Sequence, residues 1–207
     1  MSAATAEAPV ETEDIDKAEA AMRALDQEPL FMIRDGEDHL DRLLEIRGYS
    51  VIDPVTIYTC PARSLTNLPL PRVAIFTIWE PLAIMREIWA QGGIGPTRID
   101  VMKRAKGPRT AFLGRFDNKP AAAAFAAVHD RTAMLHALEV LPSQRGKGLG
   151  KWVMRAAAFW AVANSADSLA VVVTQQNRAG NALYTSLGMQ PVGQYHYRYK
   201  KSEPDAT

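Results

Sequence analysis

At 207 residues, the chain suits one domain, or one domain with an appendage, and can bury a sizeable core. Its 47% apolar and 23% charged residues are typical of a globular protein, and its net charge of +1 gives no reason to expect nucleic acid or a membrane as partner. The single cysteine, Cys60, excludes an intramolecular disulfide and a cysteine cluster for zinc. No secretory signal and no spanning helix is evident, so we expect a cytoplasmic protein.

The first seventy residues differ in pattern from the rest of the chain. Residues 1–11 are rich in Ala, Glu and Thr, and we predict that they form a disordered tail. An N-terminal extension is predicted over residues 12–70. Within it, apolar spacing favours a helix at 12–26, a strand at 30–33, a helix at 40–46, a strand at 55–59 and a proline-rich linker at 61–71.

Residues 71–201 form a predicted second domain, followed by a tail at 202–207. The predicted elements begin with a strand at 73–78, helices at 81–91 and 97–106, and three meandering strands at 110–116, 121–128 and 133–141. After a loop at 142–150 come a helix ending at 163, a strand at 169–174, a helix at 179–187 and final strands at 190–200. This order indicates an α/β fold with a mixed sheet of the α+β type.

The loop before the helix that ends at 163 carries the most informative pattern. It reads Arg-Gly-Lys-Gly-Leu-Gly from Arg145 to Gly150, and Lys151 follows it. Glycines at every second position let a ligand approach the backbone, and the first amides of a helix favour an anion. The loop therefore predicts a phosphate or pyrophosphate site, with a flexible glycine loop as the alternative interpretation.

Two other phosphate-binding motifs fit this loop less well. A Walker A motif needs Gly-Lys-Ser/Thr at its end, whereas Leu149 and Gly150 stand there. A dinucleotide fingerprint needs Gly-x-Gly-x-x-Gly and an acidic residue at the end of the following strand, and the strand at 169–174 has no such acid. Nucleoside triphosphates and dinucleotides are therefore disfavoured as ligands.

The loop resembles the Arg/Gln-x-x-Gly-x-Gly/Ala segment that holds the pyrophosphate of coenzyme A in GNAT N-acetyltransferases. The likeness continues in a segment similar to the family's Asn-x-x-Ala/Ser-x-x-Leu-Tyr-x-x-x-Gly-Phe, at Asn177, Leu183, Tyr184, Leu187, Gly188 and Met189. Two positions differ from the family pattern: Gly180 stands where the family has Ala or Ser, and Met189 stands where it has an aromatic residue. The likeness covers about residues 73–200 and implies the GNAT acyl-CoA N-acyltransferase fold, with acetyl-CoA as co-substrate and no metal.

The resemblance also implies roles for individual residues. In the family, the strand before the loop splays from its neighbour and pairs with the pantetheine arm, so the Val140 N–H would polarise the thioester carbonyl. Tyr184 matches the position that often protonates the departing thiolate, with a plain core residue as the alternative. Asn177 could equally cap the helix that follows it. The implied cofactor contacts are Leu138, Val140, Arg145, Gly146, Lys147, Gly148, Leu149, Gly150 and Asn177.

A general base is needed because a substrate ammonium must lose a proton before it attacks. Side chains alternate between faces along the strand at 133–141, which puts His136 and Val140 on one face and Glu139 on the other. We therefore predict His136 as the catalytic base, acting through a chain of water, with a half-buried structural histidine as the alternative. Glu139 is the second candidate, although its predicted face points it away from the substrate.

The extension at 12–70 echoes the strand-helix-glycine-strand order of the C-terminal third. Leu44 and Gly48 have the same spacing as Tyr184 and Gly188. We interpret the extension as a degenerate GNAT half, catalytically silent because it lacks the glycine loop and the tyrosine. Convergent patterning of strands and a helix is the alternative.

The predicted function is direct transfer of an acetyl group from acetyl-CoA to a primary amine of a small molecule. A peptide or protein N-acetyltransferase and a silent acyl-CoA-binding regulatory protein are the alternatives. The expected partner is a small-molecule amine, not nucleic acid or a membrane, and a homodimer is an allowed assembly.

Overall fold

The computed structural model of the chain describes residues 3–72 and 74–201. The predicted tail at 202–207, the first two residues of the predicted disordered tail and position 73 lie outside these ranges. Within them, no helix has both the length and the apolar character needed to cross a bilayer. The elements follow the predicted order: α1 (Thr12–Ala24), β1 (Leu30–Arg34), α2 (Asp38–Ile46), β2 (Ser50–Pro61), β3 (Ile75–Ile78), α3 (Ala83–Gln91), α4 (Pro96–Arg104), β4 (Arg109–Phe116), β5 (Lys119–His129), β6 (Thr132–Val140), α5 (Leu149–Ala163), β7 (Ser168–Thr174), α6 (Arg178–Ser186) and β8 (Gln190–Tyr199).

The described residues group into two compact units. The larger unit comprises Tyr58–Val172 and Ala179–Pro191. The smaller unit comprises the described parts of Met1–Ile57, Val173–Arg178 and Val192–Thr207. Strands β2, β7 and β8 each contribute residues to both units. The division into an extension at 12–70 and a domain at 71–201 stays a prediction.

The larger unit has the strand order β7-β6-β5-β4-β3. Neighbouring strands from β3 to β6 are antiparallel, as the predicted meander requires, whereas β6 and β7 are parallel. Helix α5 makes the crossover between this parallel pair. The predicted α/β fold with a mixed sheet is therefore confirmed.

Alternation along β4 and β5 gives the sheet of the larger unit two differently packed faces. Leu113 and Phe125 join the buried apolar cluster of α3 and α4, which includes Trp89. Phe112 instead packs edge-on against Trp160 of α5, with 6.2 Å between the ring centroids. We call the first of these surfaces the α3–α4 face.

The pairing of β6 with β5 contains an irregularity that changes the predicted faces. Phe125 lies opposite His136 and Ala123 lies opposite Glu139, so β6 has one residue more than β5 in this stretch. Ala137 has a left-handed conformation there, with φ of +53°, which marks a β-bulge. Directly opposed residues of an antiparallel pair share a face, and Ala123 and Phe125 both lie on the α3–α4 face. His136 and Glu139 therefore share this face, and the predicted opposition between them is wrong.

The smaller unit contains an antiparallel pairing of β1 with β8. Arg198 of β8 is buried and donates hydrogen bonds to both carboxylate oxygens of Asp41 and to the Tyr49 carbonyl. These partners matter because a buried charge without them is costly. Ala4, which lies in the segment predicted to be disordered, forms two backbone hydrogen bonds with β1, of 2.8 and 2.9 Å.

The stretch predicted as a linker is partly structured within the larger unit. It contains a 3-10 helix at Ala62–Leu65, whose first and last residues are buried. Arg155 of α5 donates to the Leu65 carbonyl at 3.0 Å and to the Asn67 side chain at 2.6 Å. The linker prediction is wrong for these residues, because packing against a distant helix is not visible in local composition.

Candidate active site

Helix α5 begins within the glycine motif, at Leu149, so Gly150 belongs to its first turn. Its N-cap residue, Gly148, has no side chain that could cap the first turn, and the Leu149 side chain is buried. The first N–H groups of a helix lack partners within the helix, and the positive end of the helix dipole lies among them. The first turn of α5 therefore offers backbone donors to an anion.

The three glycines of the loop meet different surroundings. Gly146 and Gly148 have φ of +76° and +79°, which strains any residue with a Cβ. A Cβ at either position would meet no described atom within 4 Å, so there is open space beside the loop. At Gly150, a Cβ would lie only 3.1 Å from the Leu183 side chain of α6. Gly150 therefore also allows α5 and α6 to approach each other.

The basic side chains of the loop are held by neighbouring groups. Lys147 Nζ donates to Gln144 Oε1 at 2.9 Å and lies 4.7 Å from the centre of the Phe116 ring. Arg145 Nε donates to the Val140 carbonyl at 3.0 Å. Arg145 thus fixes the loop to the end of β6 and brings positive charge beside the last residues of that strand.

Strand β6 has an open edge near its C-terminal end. Among the described residues, its ladder with β7 ends at Leu135 and Val171, whereas β6 continues to Val140. The Leu141 N–H donates to the Ala121 carbonyl of β5 at 2.9 Å. Because N–H groups alternate between the two edges of a strand, the Val140 N–H points to the open edge. This is the N–H group predicted to polarise a thioester carbonyl.

Glu139 and Tyr184 have proton affinities suited to acid–base chemistry. Tyr184 of α6 is buried, and burial together with the negative charge of Glu139 raises the pKa of Tyr184 to about 12. Its phenol therefore keeps its proton at neutral pH. Burial raises the pKa of Glu139, and Arg145, with 3.9 Å between Nη2 and Oε2, partly offsets this effect. A carboxylate with raised proton affinity can accept a proton, and the phenol can donate one.

His136 lines a cleft on the α3–α4 face. The cleft has a volume of about 620 Å³ and is also lined by Arg98, Phe125 and Ala137. Partial burial and then the positive charge of Arg98 lower the pKa of His136, so its ring is neutral at pH 7. His136 and Glu139 thus lie on the same side of the sheet, whereas Val140 does not.

Two residues that position the bulge of β6 and the Glu139 carboxylate were not identified from the sequence. Trp89 of α3 donates from Nε1 to the Ala137 carbonyl at 2.8 Å, which holds the bulge. A Cβ at Gly92 would lie 2.4 Å from Glu139 Cδ, so the glycine leaves room for the carboxylate. In the sequence, Trp89 reads as an apolar helix residue and Gly92 as a helix stop. Neither pattern indicates a partner on β6.

The remaining predicted contacts are Leu138 and Asn177. Leu138 lies within the bulged stretch of β6, between the paired residues His136 and Glu139. Asn177 precedes α6 and belongs to the smaller unit. The cofactor contacts assigned to both residues, like those of the loop, stay predictions.

Known proteins match this chain in sequence. A sequence model described as "Acetyltransferase (GNAT) family" matches residues 78–189. A protein of Bacillus subtilis (strain 168), described as "Uncharacterized N-acetyltransferase YobR", is 32% identical over 169 residues. That alignment covers 78% of this chain and 68% of the relative.

Solved structures share the fold. A GCN5-related N-acetyltransferase from Kribbella flavida matches with a TM-score of 0.69 at 19% identity, over 91% of this chain and 74% of that one. A tandem GNAT protein from the clavulanic acid biosynthesis pathway matches with a TM-score of 0.65 at 12% identity, over 93% and 69% of the two chains. Identities this low support the fold alone, whereas the sequence matches extend to the family. The chain belongs to the GNAT family of acyl-CoA-dependent acetyltransferases.

Proposed function

We propose that the protein transfers an acetyl group from acetyl-CoA directly to a primary amine of a small molecule. The observation that carries the proposal is the cluster at the end of β6, which consists of Glu139, Val140, Arg145 and Tyr184. Arg145 of the glycine loop donates a hydrogen bond to the Val140 carbonyl and lies beside the Glu139 carboxylate. Acetyl-CoA supplies the acetyl thioester. The first-turn amides of α5, in the open space beside Gly146 and Gly148, would bind its pyrophosphate.

Each group of the cluster has one role in the proposed transfer. The Glu139 carboxylate takes a proton from the substrate ammonium, which makes the amine nucleophilic. As the amine attacks the thioester carbonyl carbon, the Val140 N–H stabilises the negative charge that develops on the oxygen. The C–S bond then breaks, and the Tyr184 hydroxyl gives its proton to the departing thiolate. The nitrogen of the new amide gives up its second proton, which restores the Tyr184 phenol, and the proton on Glu139 is released to solvent.

Glu139 is preferred to His136 as the base because of the bulge. Glu139 directly precedes Val140 in the chain, whereas His136 comes four residues before it. The bulge brings Glu139 to the same face as His136, and burial increases its affinity for a proton. His136 remains the alternative base, supported by its neutral ring in the cleft of the α3–α4 face.

The pH dependence of transfer distinguishes the two candidate bases. The rate should rise with pH through the pKa of the base, because only the deprotonated form accepts the proton. For Glu139, this rise should lie above the ordinary carboxyl value of 4.5, since burial raises the pKa. We predict that Glu139→Gln lowers kcat by about 10²–10⁴-fold and removes the rise. His136→Gln should keep it.

Thiol release from acetyl-CoA, measured across a panel of primary amines, provides the assay for both variants. Loss of the pH-dependent rise in His136→Gln, with the rise retained in Glu139→Gln, would return the role of base to His136. Peptides in the same panel test the alternative of a peptide acceptor. Binding of acetyl-CoA without thiol release in the presence of any acceptor would favour the silent regulatory alternative.

A further inference from the structure

The cleft beside His136 combines apolar walls with positive charge. It lies between α4 and the strands β5 and β6 of the larger unit and has a volume of about 620 Å³. Ile94, Met102, Phe125 and Ala127 form much of its apolar wall. This size and composition suit a small organic molecule rather than a solvated ion.

The charged residues of the cleft are two arginines of α4. Arg98 and Arg104 both line it and are exposed, and none of its described lining residues is acidic. Asp100, on the same helix, pairs with Lys103 at 3.0 Å. Arg98 and His136 line the same cleft, and the positive charge of Arg98 contributes to the lowered pKa of His136. The cleft is therefore electropositive and favours an anionic group.

We infer that this cleft binds the non-reacting part of the acceptor, and that this part carries a carboxylate or phosphate on an apolar body. The inference rests on the proposed function, in which Glu139 receives the amine. Guanidinium groups suit the anion because they form charge-assisted, often bidentate, hydrogen bonds to carboxylates and phosphates.

The distance between the two ends also restricts the acceptor. Ala137 lines the cleft together with Arg98 and Arg104, whereas Glu139, two residues further along β6, does not line it. The amine and the anionic group would then be separated by several bonds, as in an ω-amino acid or an aminoalkyl phosphate. An α-amino acid, with both groups on one carbon, fits this spacing less well.

Calorimetric binding to the CoA-saturated protein tests the inference, because no transfer takes place in that state. The probes are ω-amino carboxylates, ω-aminoalkyl phosphates and plain alkylamines of matched chain length. We expect the anionic probes to bind about tenfold more tightly than the alkylamines. The double variant Arg98→Gln/Arg104→Gln should lose this preference. Lys103→Gln, which removes a positive charge from the same helix outside the cleft lining, should keep it.

Each outcome of this experiment bears on the inference. Equal affinity for anionic and neutral amines, or no measurable binding of the anionic ones, would overturn it. A preference that survives in the double arginine variant, or disappears equally in Lys103→Gln, would also overturn it. Failure of the proposed function looks different: no amine would release thiol from acetyl-CoA, whatever its affinity for the CoA-saturated protein. A preference between carboxylate and phosphate probes identifies which anion the cleft takes.

Discussion

Gly92 and Gly93 are neighbours at the end of α3, yet Gly92 is the one packed against the proposed base. A Cβ at Gly92 would lie 2.4 Å from Glu139 Cδ, so the carboxyl group would have to move. The carboxyl group is the flexible end of the Glu139 side chain, so moving it should change the free energy of folding only a little. We predict that Gly92→Ala changes the free energy of unfolding by no more than about 1 kcal/mol. It should lower kcat by about tenfold or more, because catalytic groups tolerate little displacement.

Gly93→Ala is the matched control, with the reverse expectation. Gly93 has φ of +81°, and a Cβ there would meet no described atom within 4 Å. Alanine would strain the backbone and leave Glu139 in place, so stability should fall by about 1–2 kcal/mol while kcat is retained. Denaturant unfolding and initial rates measure both quantities. An unchanged kcat in Gly92→Ala would contradict the positioning of Glu139 by this glycine.

Single residues also determine how much of the site could be predicted from sequence. The glycine loop and the helix that it opens were predictable, because a glycine pattern and a helix start are local features. The left-handed conformation of Ala137 was not, because alanine avoids it and Trp89, 48 residues away, holds its carbonyl. The conformation of Ala137 places Glu139 on the α3–α4 face, whereas regular alternation along β6 would place it on the face opposite His136.

At the scale of elements, the bulge of β6 depends on its link to α3. Trp89 is fully buried, and its Nε1 is the donor to the Ala137 carbonyl. We predict that Trp89→Phe destabilises the fold by about 2–4 kcal/mol, because it removes core volume and leaves the half-buried Ala137 carbonyl without its donor. Relaxation of the bulge should also displace Glu139 and lower kcat in the molecules that remain folded.

Ile88→Ala separates loss of stability from loss of the bulge. Ile88 is buried in the same cluster of the α3–α4 face, and its truncation should cost about 2–5 kcal/mol. Its aliphatic side chain makes no hydrogen bond to β6, so kcat per folded molecule should be retained. Urea unfolding gives the folded fraction to which each rate is normalised. Equal normalised kcat values in Trp89→Phe and Ile88→Ala would show that the hydrogen bond does not position the base.

Element order was largely predictable because apolar periodicity and turn residues are properties of short segments. The predicted half-repeat stays a prediction at this scale, and the two helix ends that it pairs share one pattern of backbone hydrogen bonds. At the end of α2, Tyr49 N–H donates to the Leu44 carbonyl at 3.0 Å, and at the end of α6, Met189 N–H donates to the Tyr184 carbonyl at 3.2 Å. Each intervening glycine is left-handed, with φ of +83° at Gly48 and +75° at Gly188. A shared origin of the two segments stays a proposal.

At the scale of the whole molecule, the proposed chemistry belongs to the larger unit. The first turn of α5, Val140, Glu139, Tyr184 and the cleft lined by His136 all lie in it. The smaller unit contains the described N-terminal residues and the buried Arg198–Asp41 pair. Which residues gather into each unit was not predictable from chain order, since segments near both ends of the sequence join the smaller one.

The most direct test of the account is a calorimetric titration with acetyl-CoA of the wild type, Gly148→Glu and Gly36→Glu. Gly36, in the smaller unit, is also left-handed, and a Cβ there would meet no described atom within 4 Å. Gly36→Glu therefore reproduces the strain and charge of Gly148→Glu away from the loop. We predict binding by the wild type and by Gly36→Glu, and loss of binding in Gly148→Glu. No binding by a folded wild type, or unchanged binding by Gly148→Glu, would contradict an acetyl-CoA site at the start of α5.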